Sequence, residues 1–450
     1  MWFTLVGISS PGSDDPPALR PAGGCGGENT DSAKGVTAMD TGSSMWHPGK
    51  HLRRLRAIQG KSQEVVAGLA GITPSYLSRL ETGERRLDDR RLVTALAEAL
   101  EVSPAELLGQ PVRHEDADLA AAQGTVAPLR AAYLSTVLGA VPAVGGQVRG
   151  PDELTAAVQR GVGLRTACDF TALGRLLPGL LVELHHLVAT DATARRGAAR
   201  RGALEALHVA CASASVHFLA LGYPMEAVVA ADRAAEVAAE LGGAWPALAA
   251  FSQVTALLPT GTHDHAYRIA SEATDAARGL SGQITDQPAQ AAYGALLLAS
   301  SLTASVTGRA EEAADRLAEA GTLAEQVGEC GPLVATFGPN NVRAYQLKNA
   351  LERHEFESAA QVGDQLDFAA IGSPERRAAL GIDYARALAR IPHRRAAAVT
   401  TLVAAEHAAP QRVHTSVWAR AVTGELLDEA YREAGGPQLR GLAYRLGLTG

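Results

Sequence analysis

Residues 62–83 carry the tightest constraint in this chain, because they punctuate two short helices with little room between them. Ser62 is a good N-cap, and Val65, Val66 and Leu69 then place apolar side chains on one side of a helix. Gly71 follows where a helix end needs a residue tolerant of left-handed φ, and Ile72 fills the turn. Thr73 caps again, and Pro74 takes the first helical position, where its missing N–H costs nothing. The second helix runs to about Thr82 with Leu77 and Leu80 inward, and Gly83 stops it. Two helices joined by about three residues around a glycine are a helix-turn-helix plan. The small Ala67 lies where the helices would cross, and the polar Ser75, Tyr76, Ser78 and Arg79 are left for the outer face.

The flanks extend the plan to five helices. Leu52–Gln59 reads as the first, Asp89–Leu100 as the fourth and Pro104–Leu108 as the fifth, with Ser103 and Glu106 spaced as a capping box. The pattern S-Q-E-x-x-A-x-x-A-G-I-T-x-x-x-L-S-R-x-E-x-G-x-R resembles the lambda-repressor-like, xenobiotic-response-element class of bacterial transcription regulators. That resemblance implies a phosphate contact at Gln63, at the start of the second helix. It also implies base contacts from Pro74, Ser75 and Arg79, and a Tyr76 lying near the DNA backbone or a thymine methyl. Thr73 and Ser78 border the same surface. Arg79 has the fork that matches guanine O6 and N7, and Arg85 and Arg86 are expected on phosphates, where contacts position without specifying. The family also pairs an arginine late in the first helix with a glutamate closing the third, here Arg56 with Glu81. Lys61 and Leu87 depart from the pattern, where an apolar residue and often a proline stand.

Charge supports double-stranded DNA as the partner. Residues 50–91 hold ten Lys or Arg against five Asp or Glu, a local +5 in a chain of net −7, so the remainder carries −12. A basic patch on an acidic body concentrates DNA affinity in one place.

Beyond the module, composition decides the fold class. Hydrophobic content is 47% but aromatic content only 4%, and alanine supplies much of the difference. Alanine is the best helix former, so an all-α fold is expected. Cys25, Cys168, Cys211 and Cys330 are scattered without a C-x-x-C pair, which fits a reducing cytosol and points to neither a metal site nor a disulfide framework. No run of about 18 uninterrupted apolar residues is present, so no membrane span is expected. The reading is a cytoplasmic protein that requires no cofactor and is not an enzyme.

Residues 1–48 are expected as a disordered extension, since 9–44 are rich in Gly, Ser, Pro, Asp and Thr without period. Met39 and Met45 lie just ahead of the module, and a translation start there is an expectation of the sequence. Residues 49–110 form the DNA-binding domain, 111–150 a linker with one helix near Val126–Leu138, and 151–450 a helical array. Copies of a weak repeat centre on Ala227, Ala266, Ala313, Ala359 and Ala397, which are 39, 47, 46 and 38 residues apart. In four copies a small or turn residue lies five before the alanine, Gly222, Gly261, Gly308 and Pro392, and in the other copy the residue there is His354. The spacing is near but above the ~34-residue tetratricopeptide period, so a tetratricopeptide-like α-solenoid with lengthened helices is expected.

Such arrays present a concave groove. Thr336–Val342 is the least repetitive segment, and Asn341, Arg343 and Tyr345 form the candidate ligand site. The same Asn340 and Asn341 are equally placed to cap the helix that starts there. The segment resembles C-terminal regions of actinobacterial regulators of this class. The layout resembles Gram-positive quorum regulators whose array binds a short peptide, so the effector expected is a peptide or a small molecule. The expected function is a sequence-specific transcription regulator acting as a homodimer. The alternative is a helical-repeat scaffold that recruits a partner protein to DNA.

Three other clusters carry weaker signals. His263-Asp264-His265 resembles metal ligands but reads as a loop. Glu183-Leu-His185-His186 lacks the spacing of H-E-x-x-H. Arg195, Arg196, Arg200 and Arg201 read as a solvated helix face.

Overall fold

Every helix of the first domain starts on the residue its sequence supplies for capping. In the computed structural model, which describes residues 47–111, 117–190, 197–281, 287–330, 336–433 and 436–448, the side chains of Ser62, Thr73, Asp89 and Ser103 each accept from a backbone N–H three residues on. They open α2 (Gln63–Leu69), α3 (Pro74–Thr82), α4 (Arg90–Ala99) and α5 (Pro104–Leu107). The expected first helix begins a turn earlier than its apolar pattern indicates, because the His47 imidazole accepts from the Gly49 N–H at 2.9 Å and starts α1 (Pro48–Ile58). Leu52, Val66, Leu77, Leu80, Leu96 and Leu107 are almost wholly buried and form the domain's own core. Of the expected disordered extension, residues 1–46, with Met39 and Met45, lie outside the described residues, whereas His47 and Pro48 cap and open α1.

The segment expected as a linker with one helix holds two helices among its described residues. It folds into α6 (Ala117–Gly124) and α7 (Val126–Ser135), whose Ala122, Val126, Leu129 and Tyr133 enter the same core as the helices that follow. The helix expected near Val126–Leu138 is α7, whereas the low apolar contrast of α6 hid it.

The array continues as α8 (Pro151–Ala167), α9 (Phe170–Thr190), α10 (Ala198–Leu221), α11 (Pro224–Leu241), α12 (Trp245–Leu257), α13 (His263–Ser281), α14 (Gln287–Val306) and α15 (Ala310–Val327). It ends with α16 (Pro339–Glu352), α17 (Phe356–Asp364), α18 (Pro374–Ala389), α19 (Arg395–Ala408), α20 (Pro410–His414), α21 (Val417–Glu433) and α22 (Pro437–Arg445). Among the described residues there is no strand, only an isolated bridge between Cys330 and Phe337. The protein is all-α, a helix-turn-helix domain followed by a helical region.

Four repeat anchors, Ala227, Ala266, Ala313 and Ala359, are buried near the starts of α11, α13, α15 and α17. A methyl is all that fits where one helix of a hairpin crosses its partner. In the fifth copy the buried alanine is Ala398, and Ala397 is exposed, so that alignment was one residue off.

The array closes on itself. Residues from α6 to α11 and from α16 to α22 share one apolar cluster, and α8 packs on α18. Gln411 accepts from the Phe170 N–H at 2.9 Å across this seam. Three helices, Phe170–Thr190, Ala199–Leu221 and Gln287–Val306, are long and apolar enough to span a membrane by length and hydropathy alone. Their most apolar windows are 44%, 83% and 89% buried here, so for the last two the array itself accounts for the hydropathy.

Candidate nucleic-acid interface

The frame beneath the exposed face of α3 is a buried ion pair. Arg56 meets Glu81 bidentately, Nε to Oε1 at 2.5 Å and Nη2 to Oε2 at 3.0 Å, and Arg56 Nη1 also donates to the Lys61 carbonyl. Glu81 is only 4% exposed, and the hydrogen bond to it raises the Arg56 pKa. Gln63 donates from Nε2 to the same carboxylate at 2.8 Å. One glutamate therefore ties together the end of α1, the start of α2 and the end of α3. The side chain expected on a phosphate is held at the first residue of α2.

Leu77 and Leu80 are buried against this frame, which leaves the opposite side of α3 to solvent. Thr73, Pro74, Ser75 and Arg79 are exposed, and Tyr76 and Ser78 are half-buried. Arg79 Nε donates to the Ser75 carbonyl at 3.3 Å, and its guanidinium stands 5.9 Å from the Tyr76 ring centroid. No carboxylate lies within ion-pair distance of Arg79 among the described residues, so its fork is available to a ligand. Gly83 closes α3 at φ 82°, and a Cβ there would fall 2.7 Å from the His47 ring. Glycine is needed at this position both for the left-handed turn and for space.

The two departures from the family pattern have local explanations. The Lys61 ammonium donates to the Ala99 carbonyl at the C-terminus of α4 and pairs with Glu101 at 2.7 Å. Leu87 is 5% exposed and belongs to the domain core.

The basic patch is smaller than its residue count. Lys50, Arg53, Arg54, Arg79 and Arg85 are exposed. Arg86, expected on a phosphate, forms an ion pair with Glu425 of α21 at 3.0 Å. Arg90 pairs with Glu352 at the end of α16, and Arg91 donates to the carbonyls of Ser305 and Val306 at the end of α14. Three further pairs join the domain to the array: Arg390 with Asp88, His354 with Asp89 at 2.9 Å, and His47 near Asp428 at 3.8 Å.

These contacts have a common geometry. The turns marked in the sequence by Gly222, Gly261, Gly308 and His354 all meet residues of the first domain or just after it. A Cβ at Gly222 would meet Pro111, one at Gly261 would meet Thr94 and Pro104, and one at Gly308 would meet Arg91 at 2.8 Å. The domain is thus seated on one rim of the array, over the C-terminal ends of its helices. Helix C-termini present unsatisfied carbonyls and partial negative charge, which suits the basic side of the domain. None of the array's partner residues carried a motif, so sequence reasoning passed over Glu352, Arg390, Glu425 and Asp428.

The candidate ligand residues divide. Asn341 and Tyr345 are each 8% exposed, and Asn341 Oδ1 accepts from Arg376 at 2.8 Å. Arg343 lies on the exposed side of α16 and reaches Asn340 at 3.4 Å, so it does not share their face. Neither asparagine caps α16. The N-cap is Gly338, and Glu329 accepts from the Asn340 N–H at 2.8 Å.

Among the remaining clusters, His263, Asp264 and His265 turn to three different partners: Leu258, Arg309 and Arg268. No group of three metal-ligating side chains gathers among the described residues. His185 is 2% exposed and bonded to the Leu181 carbonyl, while Glu183 pairs with Arg149. Arg200 pairs with Glu240 of α11 and Arg201 reaches Glu205 and the Leu241 carbonyl, so both hold a helix hairpin together. Arg195 and Arg196 lie outside the described residues.

Comparison with known proteins matches residues 49–108 to a helix-turn-helix domain family. No curated protein matches the chain at a significant level. Three similar solved structures are PlcR of Bacillus thuringiensis in complex with the peptide PapR7 and DNA, and ComR of S. thermophilus in its apo form and in complex with DNA and its signalling peptide ComS. Identities are 10%, 14% and 13%, with 62%, 67% and 62% of this chain and 95%, 98% and 94% of theirs covered. The TM-scores are 0.25, 0.20 and 0.18, too low to carry an argument from their structures to this one.

Proposed function

We propose that this chain is a sequence-specific DNA-binding transcription regulator that acts as a homodimer, with its helical array serving for dimerisation, effector binding or both. The observation that carries the reading is the exposed edge of α3 from Thr73 to Arg79, held by the Arg56–Glu81–Gln63 frame inside a helix-turn-helix domain. A short helix with a polar outer edge and an unpaired arginine fork is suited to a major groove. Thr73, Pro74, Ser75, Tyr76, Ser78 and Arg79 face bases and the nearby backbone, and Gln63 and Arg85 hold phosphates. Arg86 positions the domain on the array instead.

One such module reads few base pairs, so useful specificity calls for two copies on a twofold operator. The effector reading, a peptide or another small molecule, is supported by the array's inward polar face at Asn341 and Tyr345. The repeat spacing supports a tetratricopeptide-like array, and the motif of residues 62–85 supports the xenobiotic-response-element class for the DNA-binding domain. A protein that works on DNA in this way acts in the cytoplasm, and no enzymatic step is assigned to it.

Selection of sheared genomic DNA on the purified protein tests the reading. Recovery of a recurrent inverted repeat, with half-sites about 10 bp apart or a multiple of that turn, is the expected result. Retention of fragments without a shared sequence, or of none, overturns it.

A further inference from the structure

The inner side of the closed array holds more cations than carboxylates to pair them. On α16, Asn341, Tyr345, Lys348 and Glu352 follow one another at i, i+4, i+7 and i+11, which places them on one helix face. Glu352 is taken by Arg90. Across from this face lie α18 and α20, where Asp383 pairs with Arg386 at 3.1 Å and Glu375 with Arg412 at 3.6 Å. Both of these carboxylates already face an arginine, and Glu329, which acts on Arg376 electrostatically, accepts from the Asn340 N–H.

Lys348 and Arg376 remain. The Lys348 ammonium stands 4.9 Å from the Tyr345 ring centroid, and among the described residues it has neither a hydrogen-bond acceptor nor a carboxylate within ion-pair distance. It lies within electrostatic reach of Arg376 and Arg412 as well as of Asp383 and Glu375. Arg376 donates to a neutral acceptor, Asn341 Oδ1. Burial lowers the pKa of both cations, and the carboxylates around them offset that only in part. A charge kept in such a place usually meets an opposite charge.

We propose that Lys348 and Arg376, with Asn341 and Tyr345 beside them, form a binding site for the carboxylate or phosphate group of a small-molecule ligand. Lys348 supplies the point charge, Arg376 a guanidinium fork, and Tyr345 an aromatic wall. The site lies one helical turn from Glu352, which holds Arg90 of the helix-turn-helix domain, so a bound anion sits next to the seam between domain and array. The inference concerns the array and does not depend on the DNA-binding reading.

The test is thermal denaturation and calorimetric titration of the full chain with inorganic phosphate and with citrate, against sodium chloride at equal ionic strength. Wild type should gain Tm with at least one of the two anions, and the stronger of them identifies the oxyanion class. Lys348→Met should raise Tm without anion by removing an unpaired buried charge, and should weaken anion binding roughly tenfold or more. Arg376→Gln, which keeps an amide within reach of Asn341, provides a second variant with the same expected loss. Arg343→Ala, on the outer side of the same helix, should bind as wild type does. Equal anion responses in wild type and both inner variants, or no response in wild type to either anion, would overturn the site.

Discussion

Arg86 of the helix-turn-helix domain and Glu425 of the array form an ion pair at 3.0 Å, with both side chains largely removed from solvent. Burial pushes the Glu425 carboxyl up, and the charges of Arg86 and Arg390 pull it back down. This pair separates two neighbouring arginines that the sequence treats alike, since Arg85 stays exposed.

Arg86→Ala should therefore destabilise the protein rather than weaken DNA contacts directly. Glu425 loses one of its arginine neighbours while Arg390 remains, so the loss should fall below the roughly 3–5 kcal/mol of an isolated buried charge. The double variant Arg86→Ala/Glu425→Gln should recover much of the loss. Denaturant unfolding of the two proteins checks this, and equal stability of single and double variants would refute it.

Arg85→Ala should instead leave stability alone and weaken binding to all DNA sequences. Losing one phosphate contact should reduce the slope of log K against log salt by about 0.9. Fluorescence anisotropy across a salt series on specific and random duplexes measures it.

Arg79→Ala should cost ~1–3 kcal/mol on the preferred site and little on random DNA, because its free fork is the base reader of α3. Equal losses on both duplexes would remove Arg79 from that role.

Glu81→Gln should loosen the whole reading frame. It leaves the Arg56 guanidinium, Nε within 2.5 Å of the altered group, without a charged partner and disturbs the bond from Gln63. A loss of about 3 kcal/mol is expected for breaking a buried pair. Base-specific affinity should fall with it, read by anisotropy at a temperature where the variant is still folded.

Acid should unfold the array before it strips most surface ion pairs. His208 and His217 are both fully buried, and burial lowers their imidazoles from 6.5 to about 4. Below pH 6.5 the unfolded chain takes up protons that the native state refuses, so stability is intact above 6.5 and falls as pH drops toward 4. Each histidine contributes on the order of 3 kcal/mol over that window. Tm measured from pH 7 to 4 should fall steadily, and His217→Gln should flatten the curve.

Much of the first domain was legible because its information is local. Ser62, Thr73, Asp89 and Ser103 bond within one turn, and Gly83 answers a steric demand of its own residue, so short windows of sequence are sufficient to read them. Four of the five alanine anchors were legible too, since close helix crossing demands a small side chain wherever it occurs. Other features depended on pairings across long sequence separations. Arg86 and Arg85 are adjacent and chemically identical, and only the approach of α21 gives one of them Glu425. Arg343 and Tyr345 are two apart on α16, and only the packing of the array puts Tyr345 inside and Arg343 outside. Within the segment read as a linker, α6 went unread because alanine-rich helices show no apolar stripe until a partner surface defines which face is buried. Sequence alone determined the helix-turn-helix and the all-α class, because capping and propensity act within a few residues. The closure of the array and the seating of the domain on its rim were decided by tertiary structure, because charge pairing and burial depend on which distant surfaces meet.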